Sequence, residues 1–268
     1  MYDFHSLINV DLEQLAGCFN LAFSDYEQPI HFTADSLNYY LTASAVDLPL
    51  SYGAFCDEEM VGFILNSSGI YKDQNVVFDA GTGIVPGHRG KKVFSALFDY
   101  TCQQLKSQNI TRYYLEVLQS NHHAVSIYSK KGFIIQCGYS VLTASGPNGC
   151  QSSVTSVPYP DFDLFQTAHS VSPSFEHTTH NICSNPQLYK VLYRENLAYC
   201  IYAKRNGEII QLHYSDLNAL KDVLSALTDR YPSAMAKNID CNCSDVINTL
   251  NEIGFKEITK QYEMAKNL

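Results

Sequence analysis

At 268 residues, with 46% hydrophobic and 17% charged side chains, the chain has globular composition and enough length for one large or two ordinary domains. Eighteen basic against 27 acidic residues give a formal net charge of −9, which argues against a nucleic-acid partner but still allows a local basic patch to hold a small anion. Nine cysteines without a CxxC pair, an opening MYDFHSLINV without a basic and then apolar leader pattern, and no apolar run near the ~18 residues of a membrane span lead us to expect a soluble cytoplasmic protein with reduced thiols and no membrane partner.

In chain order, residues 10–22 (VDLEQLAGCFNLA) repeat apolar side chains at helical spacing behind Asn9, and 34–43 form a second expected helix behind Thr33. The period then shortens. SYGAFC, MVGFIL and NVVFDAGTGIV read as three successive strands separated by the polar turns DEE and YKDQN. After Pro86 the turn GHRGKK feeds an amphipathic helix, VFSALFDYTCQQLKSQ, followed by the strand RYYLEVL. NHHAVSIYSKKGF comes next. Ala124, Ile127 and Tyr128 share one helix face, Asn121 can cap its start, and Gly132 stands where a left-handed end residue is wanted; a strand, FIIQCGYSVL, follows. This order of strands and helices specifies an α/β fold with a mixed sheet.

From Thr143 to about Asn181 the composition turns to Ser, Pro, Thr and His, which marks a domain boundary. Beyond it, LAYCIYA and EIIQLHY flank a hairpin signal at Asn206-Gly207, and a helix (LNALKDVLSAL), a strand (AKNID), a helix (SDVINTLNEI) and GFKEITKQYEM complete the pattern. Aligning the Gly-Phe pairs 132/133 and 254/255 repeats the first region at an offset of 122, so an internal duplication is expected. The division that follows is a first domain over 1–145, a Ser/Pro-rich linker and entry to the second domain over 146–180, and a second domain over 181–268.

GIVPGHRGKKVF, residues 83–94, combines a strand end, a basic glycine-containing turn and a helix start. It reads either as a solvated basic turn or as an anion site, since helix N-terminal N–H groups and the nearby Arg89, Lys91 and Lys92 suit a pyrophosphate. Pro86-x-x-Arg89-Gly90 and then Asn121-x-x-Ala124-x-x-x-Tyr128-x-x-x-Gly132-Phe133, in this order and spacing, closely resemble the GNAT superfamily of acyl-CoA N-acyltransferases over roughly residues 1–142. The resemblance implies two GNAT-like domains, each a mixed, centrally splayed β-sheet flanked by helices, the second a degenerate copy. It further implies acetyl-CoA or another acyl-CoA as cosubstrate, with no metal. Turn residues Arg89, Gly90, Lys91, Lys92, Val93 and Phe94 would hold the pyrophosphate, the strand edge at Ile84 and Val85 the pantetheine, and Asn121 would lie beside it. Tyr128 would stand at the thioester sulfur. The family turn reads R-x-x-G-x-G/A, and here Lys92 and Phe94 replace its two later glycines.

Amine attack on a thioester needs a base for the ammonium proton and an acid for the leaving thiolate. Tyr128 is the expected acid. Asp79, the one carboxylate on the strand before the turn, is the first candidate base, though it also reads as a solvated strand residue; Glu116 on the next strand is the second. His122 and His123 fit a solvent-facing helix start, and His177-x-x-His180 lacks a third metal ligand in view. At the offset of 122, Tyr128 becomes Leu250, Asn121 becomes Cys243 and Ala124 becomes Val246, so the second copy keeps the pattern without the chemistry. Its expected part is to complete the sheet, wall the acceptor pocket or form a homodimer contact. The expected partner is a small-molecule or peptide amine, which AFSDYEQPIHFTADSLNYYL with Tyr26, Tyr39 and Tyr40 would help enclose. A non-catalytic acyl-CoA sensor is the competing expectation.

Overall fold

The computed structural model describes all residues except 26–30, 150–152 and 163–169. Two compact units result: residues 1–115 with 265–268, and residues 116–264.

In the first unit, β1 (Tyr2–Ser6), β2 (Tyr52–Cys56), β3 (Glu59–Tyr71) and β4 (Gln74–Ile84) form consecutive antiparallel pairs, and the first half of β5 (Arg112–Leu118) pairs parallel with β4. Helices α1 (Leu12–Ala22) and α2 (Ala34–Ala43) bury Leu15, Phe19, Leu37 and Leu41 with Phe63 and Leu65 of β3. Each helix has a local reason to start. Asp11 accepts from the N–H of Glu13, and Thr33 and Ser36 form a reciprocal capping box. The N-cap of α1 is thus Asp11, two residues beyond the expected Asn9. Helix α3 (Val93–Ser107) buries Val93, Leu97, Phe98 and Leu105, and the Phe98 ring stacks on Tyr113 of β5 with centroids 5.8 Å apart.

The pairing of β4 with β5 runs from Val76↔Arg112 to Asp79↔Leu115, whereas β4 continues to Ile84. The end of β4 is therefore open on its β5 side over Ala80–Ile84 among the described residues. Gly83 lets α1 come close here: a Cβ added to it would lie 2.9 Å from the Ala22 Cβ and 2.8 Å from the Phe63 ring.

The second unit contains α4 (His122–Lys130), β6 (Ile134–Ala144), β7 (Thr155–Pro158), α5 (Thr179–Ser184), β8 (Tyr189–Arg194), β9 (Ala198–Ala203), β10 (Ile209–Tyr214), α6 (Leu217–Arg230), β11 (Met235–Asp240), α7 (Ser244–Glu252) and most of β12 (Phe255–Asn267). Its strand order is β12-β6-β11-β10-β9-β8-β7. The core packs Leu220, Val223 and Leu224 of α6 and Val246 and Leu250 of α7 against Leu142, Leu212, Ile239 and Phe255. Asn206 and Gly207 turn the β9–β10 hairpin, with Gly207 at φ +72° and the Asn206 side chain accepting from the N–H of Glu208.

β6 pairs antiparallel with β11, so a strand of the first sequence copy is bonded to a strand of the second inside one compact unit. The stretch 146–180, expected as linker and entry to the second domain, includes β7, which pairs with the unanticipated β8, and leads into a segment in which Phe175, His177, Asn181 and Ile182 are buried.

Candidate functional site

The turn between β4 and α3 shows how a basic loop is held open without the usual glycines. Gly90 and Lys92 both adopt left-handed conformations, at φ +72° and +64°. For Lys92 this geometry carries a steric cost of ~1 kcal/mol. Lys92 is the N-cap of α3 and contributes no side-chain cap, so the positive end of the helix is not neutralised by its own first residue. Lys91 and Lys92 are exposed, Val93 is buried beneath the turn and Phe94 is half-buried with its ring 5.7 Å from Phe98.

Arg89 is placed differently from Lys91. Its Nε donates to the Ile84 carbonyl at 2.9 Å, one Nη to the Ala22 carbonyl at 2.6 Å, and both Nη atoms engage the Asp25 carboxylate at 2.5 and 3.1 Å. The guanidinium staples the last turn of α1, which has no basic residue of its own, to the end of β4. Its hydrogen bond, and then its charge, hold the Asp25 carboxyl below its ordinary range. Asp25 is thus a partner of the turn that sequence reasoning missed, since nothing local ties residue 25 to residue 89. His88, whose Nδ1 lies 3.0 Å from the Tyr2 hydroxyl, is another.

Of the two expected edge residues, Val85 is committed: its N–H donates to Val61 and its carbonyl accepts from His88, both at 2.9 Å. Antiparallel alternation then turns the main-chain groups of Ile84 and Thr82 away from β3. The Ile84 carbonyl serves Arg89, leaving its N–H directed to the open edge. Asp79 sits where β3 and β4 shift register, and its carboxylate accepts from the Gly81 N–H at 3.0 Å and the Thr82 hydroxyl at 2.7 Å. The Tyr40 hydroxyl donates to the carbonyl of Ala80 in the same irregular stretch. Tyr26, expected on the acceptor side with Tyr40, lies outside the described residues.

The other site residues belong to the second unit. Asn121 caps α4 as expected, its side chain accepting from the Ala124 N–H at 3.0 Å. α4 has no fully buried residue, so the face bearing Ala124 and Tyr128 is only partly covered; the Tyr128 ring meets Phe133 edge-on at 5.5 Å. Glu116, on the second half of β5, accepts from Asn238 Nδ2 at 2.9 and 2.8 Å and from Gln261 Nε2 at 3.0 Å. Burial and then the Glu176 charge push its pKa up to about 8, against the opposing pull of Lys237 and the two amides.

No helix among the described residues is long and apolar enough to cross a membrane, and no group of three or more His, Cys, Asp or Glu among them could hold a metal ion. A coenzyme's pyrophosphate fits what is present: a helix N-terminus without a side-chain cap, two exposed lysines and an outward strand N–H.

The model of the acetyltransferase (GNAT) family matches residues 12–133 of the chain. Solved structures align over its whole length at low identity. A Pyrococcus horikoshii protein assigned as an acetyltransferase is 12% identical, with 100% of this chain and 89% of that one covered and a TM-score of 0.71. A GCN5-related N-acetyltransferase from Sphaerobacter thermophilus is 13% identical, covering 99% and 95%, at 0.68. A tandem GNAT protein from the clavulanic acid biosynthesis pathway is 11% identical, covering 100% and 98%, at 0.60. The fold is α/β with two GNAT-like domains. No curated protein sequence matches the chain.

Proposed function

We propose that the protein is an N-acetyltransferase that moves an acyl group, in the first instance acetyl, from acyl-CoA to a primary amine on a small molecule or peptide. The observation that carries this reading is the N-terminus of α3, held without a side-chain cap behind a left-handed Lys92 at the open end of β4. When bound, acyl-CoA supplies an activated thioester carbonyl.

The chain's residues then have distinct tasks. First-turn N–H groups of α3, with Lys91 and Lys92, face the pyrophosphate, while Arg89 acts through shape by fixing the turn against α1 and β4. The Ile84 N–H offers a donor to the pantetheine arm, and Asn121 supports α4 at its start. Attack by the amine nitrogen forms a C–N bond and breaks the C–S bond. Tyr128 donates its phenolic proton to the departing sulfur, and the ammonium proton goes to Asp79, directly or through water. Asp79 suits that task as an oriented carboxylate whose oxygens can each accept more than one hydrogen bond. Residues 1–145 are proposed as the catalytic copy and 181–268 as the degenerate one. A soluble cytoplasmic setting belongs to the same proposal, supported by cysteine usage without a CxxC pair.

The test has two arms. Calorimetry should show binding of coenzyme A that is markedly tighter than that of dephosphorylated pantetheine; equal affinities would remove the pyrophosphate from the reading. A free-thiol assay with acetyl-CoA over a panel of amines should identify at least one acceptor. Tight binding with no thiol released across the panel would favour the sensor instead.

A further inference from the structure

The second unit has a strand splay of its own. β10 and β11 pair in parallel only at Ile209↔Ala236, although the strands run on to Tyr214 and Asp240. In the tandem-domain reading above, on which this inference rests, such a divergence is where a coenzyme arm would lie.

Here the chain itself occupies it. Gln211 of β10, 3% exposed, donates from Nε2 to the His177 carbonyl at 2.7 Å and to the Thr179 hydroxyl at 3.3 Å. Asn238 of β11 donates from Nδ2 to the Ser174 hydroxyl at 3.0 Å, and Lys237 forms an ion pair with Glu176. One segment, Ser174–Ser184, therefore takes hydrogen bonds from both diverging strands. One side of it is core, with Ser174 and Ile182 0% exposed and Phe175 1%, while His180, Cys183 and Ser184 face outward. His177, at 5% exposure, lies with its Nε2 3.8 Å from Glu208 just before β10, while His180 is exposed, so the two histidines of His177-x-x-His180 stand in different surroundings.

We propose that Ser174–Ser184 is a built-in strap that seals the second unit's splayed strands, standing where a coenzyme arm would otherwise satisfy them, so that the chain has one coenzyme site and not two. Its polar groups answer the side chains of Gln211, Lys237 and Asn238 that line the divergence of the two strands. A segment fastened by buried hydrogen bonds and an ion pair opens only when the surrounding strands do.

Hydrogen exchange on the full chain, read by mass spectrometry, tests this without any ligand. Amides of 175–184 should exchange within about tenfold of those in β9 and β10, as one cooperative unit. Exchange more than about a hundredfold faster would overturn the proposal, because the strap would then open alone. Acetyl-CoA should bind with a stoichiometry of one and leave exchange at 175–184 and 209–216 unchanged; two equivalents, or altered exchange there, would also overturn it. Glu176→Gln should speed exchange of the strap by about tenfold with β9 unaffected, and no local change in that variant counts against the clasp. If acetyl-CoA does not bind at all, exchange at 84–94 stays unaltered and the acetyltransferase reading falls, while exchange of the strap in the free chain still decides the present inference.

Discussion

Two strand-to-helix connections, one in each unit, show how the same local architecture is either left receptive to an anion or closed. Between β4 and α3 the chain takes the eight residues 85–92, with Gly90 and Lys92 left-handed and no side-chain cap at the helix start. Between β10 and α6 it takes only Ser215 and Asp216, and the Asp216 carboxylate accepts from the Ala219 N–H at 2.8 Å. The second helix carries its own anion. A helix N-terminus binds phosphate when its N–H groups and dipole are not already answered by a side chain. Helices α4 and α7, which correspond residue for residue at the offset of 122, differ in the complementary way. α4 is capped by Asn121 and buries no residue fully; α7 lacks a side-chain cap and buries Val246, Thr249 and Leu250. The helix that carries Asn121 at its start and Tyr128 on its face is thus the less buried of the two.

The largest effect that would break this comparison is expected at Tyr128. Tyr128→Phe keeps the ring against Phe133 and deletes the hydroxyl, so turnover should fall ~10² to 10⁴ with coenzyme affinity preserved. A rate per folded molecule equal to that of the parent would reduce α4 to an ordinary packing helix like α7. Melting temperature measured in parallel separates the two outcomes, since loss of a structural hydrogen bond costs roughly 1 kcal/mol of stability without touching the rate.

Glu116 sets the pH response of the second unit. Its raised pKa of about 8 means that the folded chain favours the protonated acid; that contribution is complete below the ordinary value of 4.5 and is lost as pH rises through about 8. Glu208 acts at the other end. Burial disfavours its charge, but attraction from His177 and Lys237 and the Asn206 amide hold its pKa down at about 2, so its contribution is present above 4.5 and lost as pH falls through about 2. Melting curves should therefore show the parent losing stability from pH 5 to 8, with Glu116→Gln flattening that limb. The groups facing Glu116 are Glu176, Lys237, Asn238 and Gln261, none of which is changed in this variant. An identical slope in both proteins would sink the assignment.

Smaller effects sharpen the contrast between the two connections. Lys91→Ala should weaken coenzyme A binding by on the order of 1 kcal/mol, roughly fivefold, and reduce its salt dependence, while leaving the melting temperature alone. Arg89→Ala should weaken binding and also lower the melting temperature, because it removes the staple between α1 and β4. A salt-dependent loss of affinity with unchanged stability in the Arg89 variant would show instead that its charge reaches the ligand. Smallest of all in stability, Lys92→Gly should stabilise the chain by about 1 kcal/mol or less, by relieving a left-handed side-chain residue, while coenzyme binding weakens about as much as in Lys91→Ala because a charge facing the pyrophosphate is lost. A lower melting temperature would show that the Lys92 side chain has a structural role beyond its backbone.

Local patterns determined most of the elements and the candidate machinery. α2 is legible because its periodic apolar residues, Thr33 and Ser36 all lie within one short window, and α4 because Asn121, the face of Ala124 and Tyr128, and Gly132 do so too. The phosphate turn is legible for the same reason: a strand end, basic residues and a helix start are contiguous in the chain. The offset of 122 likewise needs only the linear sequence. What tertiary structure decided depends on groups far apart along it. Asp25 reaches Arg89 across 64 residues and redirects a guanidinium from ligand to scaffold. β6 pairs with β11 across the copies, so compact units end at Leu115 and not at the change of composition near Thr143. The strap is hardest to foresee, because Ser174–Ser184 has the polarity of a loop and its Ser174, Phe175 and His177 become core only where Gln211, Lys237 and Asn238 meet it. Propensity and periodicity act over a turn or two of chain, whereas burial of a polar segment depends on partners that only the folded sheet brings together.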